Sequence, residues 1–348
     1  MDVRGVVVLV VDGLGHQLLD EHRELAPTLA GAPGVTLDAA FPTTTSTNLT
    51  TLGTGRPAGE HGLVGTIVGL PGTTRPLATL TWSWDRQVGG EDARQLVVPE
   101  DLQRHPTWFE QQRSIRTTTV LRPEFVGSGL SRAALRGAEV VTAADLDATL
   151  GSAVTAASVD GPAVVYAHEG AVDLFGHLDG PASARWRAAL RATDDAVGRC
   201  VERLSPELAL VVTADHGMVE VGLDDAVDLA DRPDLLTDVR VLAGDARARQ
   251  LHVAPGAVDE VTARWSEHVG DRGVVVNREQ AVAAGWFGPP QLVEPAVEAR
   301  IGDVLVLATS RVAWVHGDVD PLRGRLRGHH GALSDAELLV PALVLHNR

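Results

Sequence analysis

Gly5-Val-Val-Val-Leu-Val-Val11, closed by Asp12-Gly13, decides the fold class. A run this short, apolar and rich in β-branched residues reads as a strand buried on both faces, as in a parallel sheet covered by helices. It ends on a carboxylate. The same plan recurs in Pro162-Ala-Val-Val-Tyr-Ala167, followed by Asp173, and in Leu208-Ala-Leu-Val-Val-Thr213, followed by Asp215. Between these strands lie helical stretches: residues 15 to 30, Leu146 to Ser158, and a long one opened by Pro181. In the last, Trp186, Leu190, Val197, Cys200 and Leu204 recur at helical spacing. Strands alternating with such helices predict an α/β fold, a doubly wound and mostly parallel central sheet flanked by helices.

From about 219 to 325 the pattern changes. Short strands fall near 248–254, 303–308 and 312–316, with a helix near 257–268. This region is expected to be a small α+β insertion or cap, leaving 1–218 and 326–348 as the catalytic core, with Leu338 to Leu345 as its last strand.

The 348 residues suffice for a large core. No run of eighteen apolar residues occurs, so no spanning helix is expected. The N-terminus, Met-Asp-Val-Arg-Gly, reads as the lead into the first strand and not as a signal peptide. A single cysteine, Cys200, excludes an internal disulfide and fits a reducing, cytoplasmic setting. A formal charge of −16 argues against a broad nucleic-acid surface, though an anion could bind locally beside metal cations.

A second stretch, Phe41-Pro-Thr-Thr-Thr-Ser-Thr-Asn-Leu-Thr-Thr-Leu-Gly-Thr-Gly55, carries no charge and eight hydroxyls. Pro42 favours an extended approach, after which a short helix could begin. A hydroxyl at such a start sits where free N–H groups attract an anion. Taken alone, the stretch reads equally as an N-cap.

Asp12, Asp173 and Asp215 all follow predicted strands, and the carboxyl ends of strands line the ligand crevice of open α/β sheets. Converging carboxylates repel unless protonated or bound to cations. Histidines stand nearby: Asp173-Leu-Phe-Gly-His177 places two ligands one turn apart, Asp215-His216 two in succession, and Gly328-His-His-Gly331 adds another. Mixed carboxylate and imidazole donors suit zinc first, with manganese or iron as alternatives.

These residues resemble the alkaline phosphatase superfamily, and within it the nucleotide pyrophosphatase/phosphodiesterase-like branch. The blocks that carry the resemblance are Val-Asp12-Gly, the threonine stretch through Gly55, Gly59-Glu-His-Gly-Leu-Val-Gly65, Asp173 through Pro181, Thr213-Ala-Asp215-His216-Gly-Met218, and the closing Gly-His-His330-Gly. The resemblance implies two divalent metal ions, one on Asp173, His177 and His330, the other on Asp12, Asp215, His216 and a nucleophilic hydroxyl. It places that nucleophile at Thr45, three residues before Asn48, with Thr44 and Ser46 as alternatives. Asn48 is then expected to hold a phosphoryl oxygen, and its neutral amide suits a phosphodiester. The implied chemistry is hydrolysis of phosphodiester or pyrophosphate bonds in a small-molecule phosphoester, a nucleotide among the candidates, through a phosphothreonine intermediate. Phosphomonoester, phosphonate or sulfate esters, or a metal-binding domain without catalysis, are the alternatives. One departure bears on substrate. Eukaryotic-type members of this branch carry Phe-Pro-Asn-His after the nucleophile, whereas Ser46-Thr-Asn-Leu49 stands here. Trp82, Trp84, Trp108 or Phe109 would have to replace the missing base-stacking aromatic. His61 and His168-Glu169 are the other residues placed to contact the site.

Overall fold

The computed structural model describes residues 3–85, 89–317 and 325–347; the first two residues of the N-terminal reading lie outside them. Strand β1, Gly5–Val11, is the middle of a seven-stranded sheet. The others are β2 (Gly34–Asp38), β3 (Arg116–Leu121), β4 (Glu139–Thr142), β5 (Ala163–Glu169), β6 (Leu208–Thr213) and β11 (Leu339–Leu345), in the order β2-β11-β6-β1-β5-β3-β4. β11 is antiparallel to both neighbours, β6 and β2, and the remaining pairs are parallel. The α/β expectation therefore holds.

Alternation along β1 splits its side chains between two cores. Val7, Leu9 and Val11 pack with Leu150, Trp186, Leu190 and Leu210. Val10 faces the other way, toward Leu49, Leu121, Leu130 and Tyr166. The first core is closed by α5 (Leu146–Ala157) and α7 (Ala184–Glu202); the second by α3 (Thr45–Thr54) and α4 (Gly129–Ala134). Helices α3 and α4 approach closely because residue 53 lacks a side chain. A Cβ at Gly53 would lie 1.8 Å from the Ala134 carbonyl oxygen.

Three local expectations are corrected. Residues 15 to 30 are two short helices, α1 (His16–Glu21) and α2 (Pro27–Ala30), since Pro27 cannot donate an interior hydrogen bond and instead starts the second. Helix α7 is opened by Ser183, whose hydroxyl accepts from Trp186 N at 3.3 Å, and not by Pro181. The spacing of Trp82 and Trp84 by two residues predicts one face of a strand, but Trp82 has φ +55° and precedes a two-residue strand, Ser83–Trp84.

Within 219–325, strands β7 (Val239–Asp245), β8 (Ala248–Val253), β9 (Gly273–Asn277) and β10 (Val304–Ala308) form a separate antiparallel sheet, ordered β7-β8-β10-β9. Helix α8 (Val258–Val269) packs on it through Val261 and Trp265. Strand β8 and the turn before it also tie this sheet to the core. Gln250 Nε2 donates to Val64 O at 2.6 Å. Arg247 forks onto Glu337 at 2.8 and 2.9 Å, with both side chains no more than 1% exposed. Losing one member of such a pair strands a buried charge, at a cost of about 3–5 kcal/mol. Glu337 also accepts from Ala332 N at 3.0 Å, so the ion pair braces the loop that carries His330. No helix of the described residues is long and apolar enough to cross a membrane.

Candidate active site

The site forms where β1, β5 and β6 end together. Asp12 follows β1 directly, and Asp215 and His216 stand just past β6. Asp173 and His177 lie one turn apart on α6 (Ala171–Asp179), with Asp173 Oδ1 and His177 Nε2 3.4 Å apart. Gly13 makes the convergence possible. It has φ +71°, its N–H donates to Asp215 Oδ1 at 3.2 Å, and a Cβ there would press on Asp173 at 3.0 Å.

Thr45 is the first residue of α3 and, among residues 41–50, the single one not buried. Its Oγ1 lies 3.2 Å from His216 Nε2 and 3.5 Å from Asp12 Oδ1. The flanking hydroxyls are engaged elsewhere. Thr44 Oγ1 donates to Thr47 Oγ1 at 3.2 Å, and Ser46 Oγ to Gly65 O at 3.1 Å. Of the hydroxyls at residues 44 to 46, that of Thr45 is the one turned toward Asp12 and His216.

The donor chemistry of the histidines is fixed by their other ring nitrogens. Nδ1 of His177, His216 and His330 faces the carbonyl oxygens of Gly328 (2.7 Å), Gly217 (2.9 Å) and Thr43 (2.7 Å). A carbonyl only accepts, so each Nδ1 carries a proton and each ring turns its Nε2 toward the site. His177 and His330 thereby point Nε2 atoms at each other across 3.2 Å, and the His330 ring stacks on His216 at 3.7 Å. Asp173 Oδ1 and Asp215 Oδ2 are buried without hydrogen-bond partners. Converging imidazole nitrogens and carboxylate oxygens buried without partners fit cations.

Among the described residues, two groups have donor atoms within 4.8 Å of one another: Asp173, His216 and His330, and Asp12, Asp215 and His216. His216 belongs to both. His177, expected in the first group, sits beside it, against Asp173 and His330.

Electrostatics point the same way. Burial and the Asp12 carboxylate push Asp215 up to about 6. Burial alone would lower His216, but Asp215, Asp12 and Asp173 outweigh it and raise it to about 9. The protein has gathered more negative charge here than it neutralises.

Asn48 requires a correction. It is 4% exposed, its Oδ1 accepts from Ala40 N at 2.7 Å, and its Nδ2 faces Ala40 O, Pro42 O and Thr44 O at 3.0 to 3.4 Å. The amide is fully used in holding the loop before Thr45, so none of it remains for a phosphoryl oxygen. Asn48→Ala is expected to cost about 2–3 kcal/mol of stability through stranded backbone groups. It should lower kcat by roughly 10- to 100-fold through a displaced Thr45. Melting curves and steady-state rates check this; a kcat loss with unchanged stability would restore contact with substrate.

His168 Nε2 meets Asp12 Oδ2 at 3.2 Å and so orients that carboxylate. His61 serves the helix instead: its Nδ1 accepts from Leu63 N at 3.1 Å and its Nε2 faces Thr51 Oγ1 at 3.1 Å. Trp82, Trp84 and Phe109 are core residues beneath the site, and Trp108 packs against Phe109. None of the four lines the cavity that opens beside Thr45.

Residues 6–333 match the profile of the type I phosphodiesterase / nucleotide pyrophosphatase family. The chain belongs to this family. Its members are metal-dependent hydrolases of phosphoric esters and related bonds, and this chain is such an enzyme. No curated protein sequence matches it significantly. Among solved structures, murine ectonucleotide pyrophosphatase / phosphodiesterase 5 superposes with a TM-score of 0.69 at 16% identity, over 99% of this chain and 88% of that one. An inactive form of the murine protein was solved with AMP. Phosphonoacetate hydrolase from Sinorhizobium meliloti 1021, solved with phosphonoacetate, gives a TM-score of 0.71 at 18% identity, over 100% of this chain and 91% of that one. At these identities the family enzymes share a fold with this chain, of the alkaline phosphatase type.

Tyr166 is the residue near the site that sequence reading passed over. It stands two positions before His168 on β5, so strand alternation puts both on one face. Its hydroxyl is buried without a partner, and burial, then Asp215 and Asp12, hold its pKa well above 10. Being the one tyrosine of the chain, spaced by two from His168, was the available signal.

Proposed function

We propose that this family member cleaves phosphodiester or pyrophosphate bonds through a covalent phosphothreonine on Thr45. The observation that carries this reading is the Thr45 hydroxyl, partly exposed at a helix start, 3.2 Å from His216 and 3.5 Å from Asp12, with its neighbours' hydroxyls tied up. Two divalent ions, zinc by donor preference, would be held by Asp12, Asp173, His177, Asp215, His216 and His330; they would lower the pKa of an attacking hydroxyl and neutralise the transferring group.

The chain's own part follows from its geometry. Thr45 Oγ1 attacks phosphorus, an Oγ1–P bond forms, and the P–O bond to the leaving alcohol breaks as that oxygen takes a proton. Water then cleaves the phosphothreonine, returning a proton to Oγ1 and releasing the monoester. Thr45, Ser46 and Thr47 open α3, whose first intrahelical N–H bond is Asn48 N to Thr44 O at 2.9 Å. No side chain caps that helix. These backbone donors take over the role first given to Asn48, holding non-bridging oxygens as charge builds on them.

Rates on bis(p-nitrophenyl) phosphate, p-nitrophenyl phosphate, p-nitrophenyl phenylphosphonate and p-nitrophenyl sulfate test the reading. The diester or the phosphonate ester is expected to be fastest. A preference for the monoester or sulfate above about a hundredfold, some 2.7 kcal/mol of transition-state energy, would overturn it.

A further inference from the structure

Beside Thr45 a cavity of about 190 Å³ runs inward between α3, α4 and the end of β3. Its walls are Leu49, Leu80, Leu121, Leu130, Ala134 and Leu135. Two apolar side chains at it are unusually open, Leu80 at 38% and Phe125 at 43% exposure. The polar groups of the far wall are satisfied within the protein. Ser128 Oγ donates to Ser131 Oγ at 3.0 Å, and Ser131 Oγ to Phe125 O at 2.7 Å. Arg122, at the same wall, pairs with Glu124 at 2.8 Å. Inside, the Tyr166 hydroxyl is the one lining side chain with a buried, partnerless polar atom other than Asp173 at the ion site.

Size and polarity together limit what fits. An apolar cavity of about 150 Å³ accepts benzene, whereas sites for drug-sized ligands run to about 300–1,000 Å³. The cavity beside Thr45 belongs at the lower end. A nucleobase would bring polar edges that the leucine wall cannot pair, and burying them unpaired is unfavourable. It would also find Phe125 as the sole aromatic side chain among the lining residues besides Tyr166 and His168.

We propose that this cavity is the subsite for one ester substituent and that it selects a compact apolar group, a single aryl ring or a branched alkyl chain, over a nucleoside. The inference rests on Thr45 being the reacting residue and deepens that reading by naming the substrate class. The Tyr166 hydroxyl adds one donor for an ester oxygen; Arg122, Ser128 and Ser131 at the far wall are engaged within the protein, and the leucine wall between is apolar. A substituent in this place would cover Leu80 and Phe125 and exclude water from the reacting oxygen.

Equilibrium binding tests it without relying on turnover. Phenylphosphonate, methylphosphonate and AMP are titrated calorimetrically into zinc-loaded protein. Phenylphosphonate is expected to bind at least about tenfold tighter than methylphosphonate, the discrimination an apolar pocket achieves, and tighter than AMP. In Leu80→Trp, where the indole fills the mouth, the phenyl-to-methyl ratio should fall toward one. Leu80→Asp, a charge at the same exposed position, carries the test should the tryptophan variant misfold. Equal affinity for the two phosphonates, AMP as the tightest ligand, or a ratio unmoved in the folded variant each overturns the proposal. Failure of the catalytic reading looks different: no ester is hydrolysed while the binding ratio stands.

Discussion

Replacing Thr45 by alanine is expected to lower kcat on bis(p-nitrophenyl) phosphate by at least about 10⁴-fold, the scale seen when a covalent nucleophile is removed. The reason is structural. The helix start offers several hydroxyls, but Thr44 and Ser46 sit in the core, bonded to Thr47 and to Gly65 O, and cannot swing to the reacting position without breaking those bonds. Thr45→Ser should keep measurable turnover because a hydroxyl remains at the same Cβ. Thr44→Val and Ser46→Ala should instead lower the melting temperature, each by the loss of about 1 kcal/mol of hydrogen bonding, with kcat near that of the unaltered protein. Acid-quenched reactions should contain phosphothreonine at residue 45 and lose it in Thr45→Ala. A Thr45→Ala enzyme within about tenfold of full activity would sink the covalent mechanism.

Stripping the divalent ions with a chelator should have an effect of similar size, about 10³-fold or more in kcat, from several kcal/mol of lost charge stabilisation. Zinc should restore the rate, with manganese as the direct comparison. The stripped protein is left with the Nε2 atoms of His177 and His330 3.2 Å apart and with carboxylate oxygens of Asp173 and Asp215 buried without hydrogen-bond partners. It should also melt earlier. An ion present at about a thousand times its dissociation constant contributes about 4 kcal/mol to the folded state. Elemental analysis beside the melting curves decides the matter: protein shown free of metal but retaining its rate would remove the ions from the chemistry.

Much of this was legible in the chain. Each acid of the site sits just past a strand or in the helix that follows one, and strands of five to seven apolar residues are hard to mistake. Asp12 and Asp215 stand just past β1 and β6, and Asp173 in the helix after β5, where the hydrophobic runs before them put them. What failed was tertiary. Asn48 has the residue type of an oxyanion donor, but its partners, Ala40, Pro42 and Thr44, are backbone groups set by the path of the loop. No side-chain pattern reveals them. The cavity escaped notice for a similar reason. Leu49, Leu80, Leu121 and Leu130 come from separate segments, and each alone reads as ordinary core. Pro27 was visible as a breaker, yet the apolar period on either side of it still suggested one helix.

Seen from the loops, the molecule divides its labour along the chain. The residues that would grip ions come from 12, 173–177, 215–216 and 330, whereas the wall of the cavity is drawn mainly from 49–135. The sheet of 239–308, pinned through Arg247 and Gln250, supplies none of that wall. Such an arrangement is modular. The wall's exposed side chains, Leu80 and Phe125, can change without touching the reactive centre, while Leu121, Leu130 and Leu135 remain core. Libraries built at Leu80, Phe125 and Ser131 are accordingly the shortest route to an enzyme of altered selectivity.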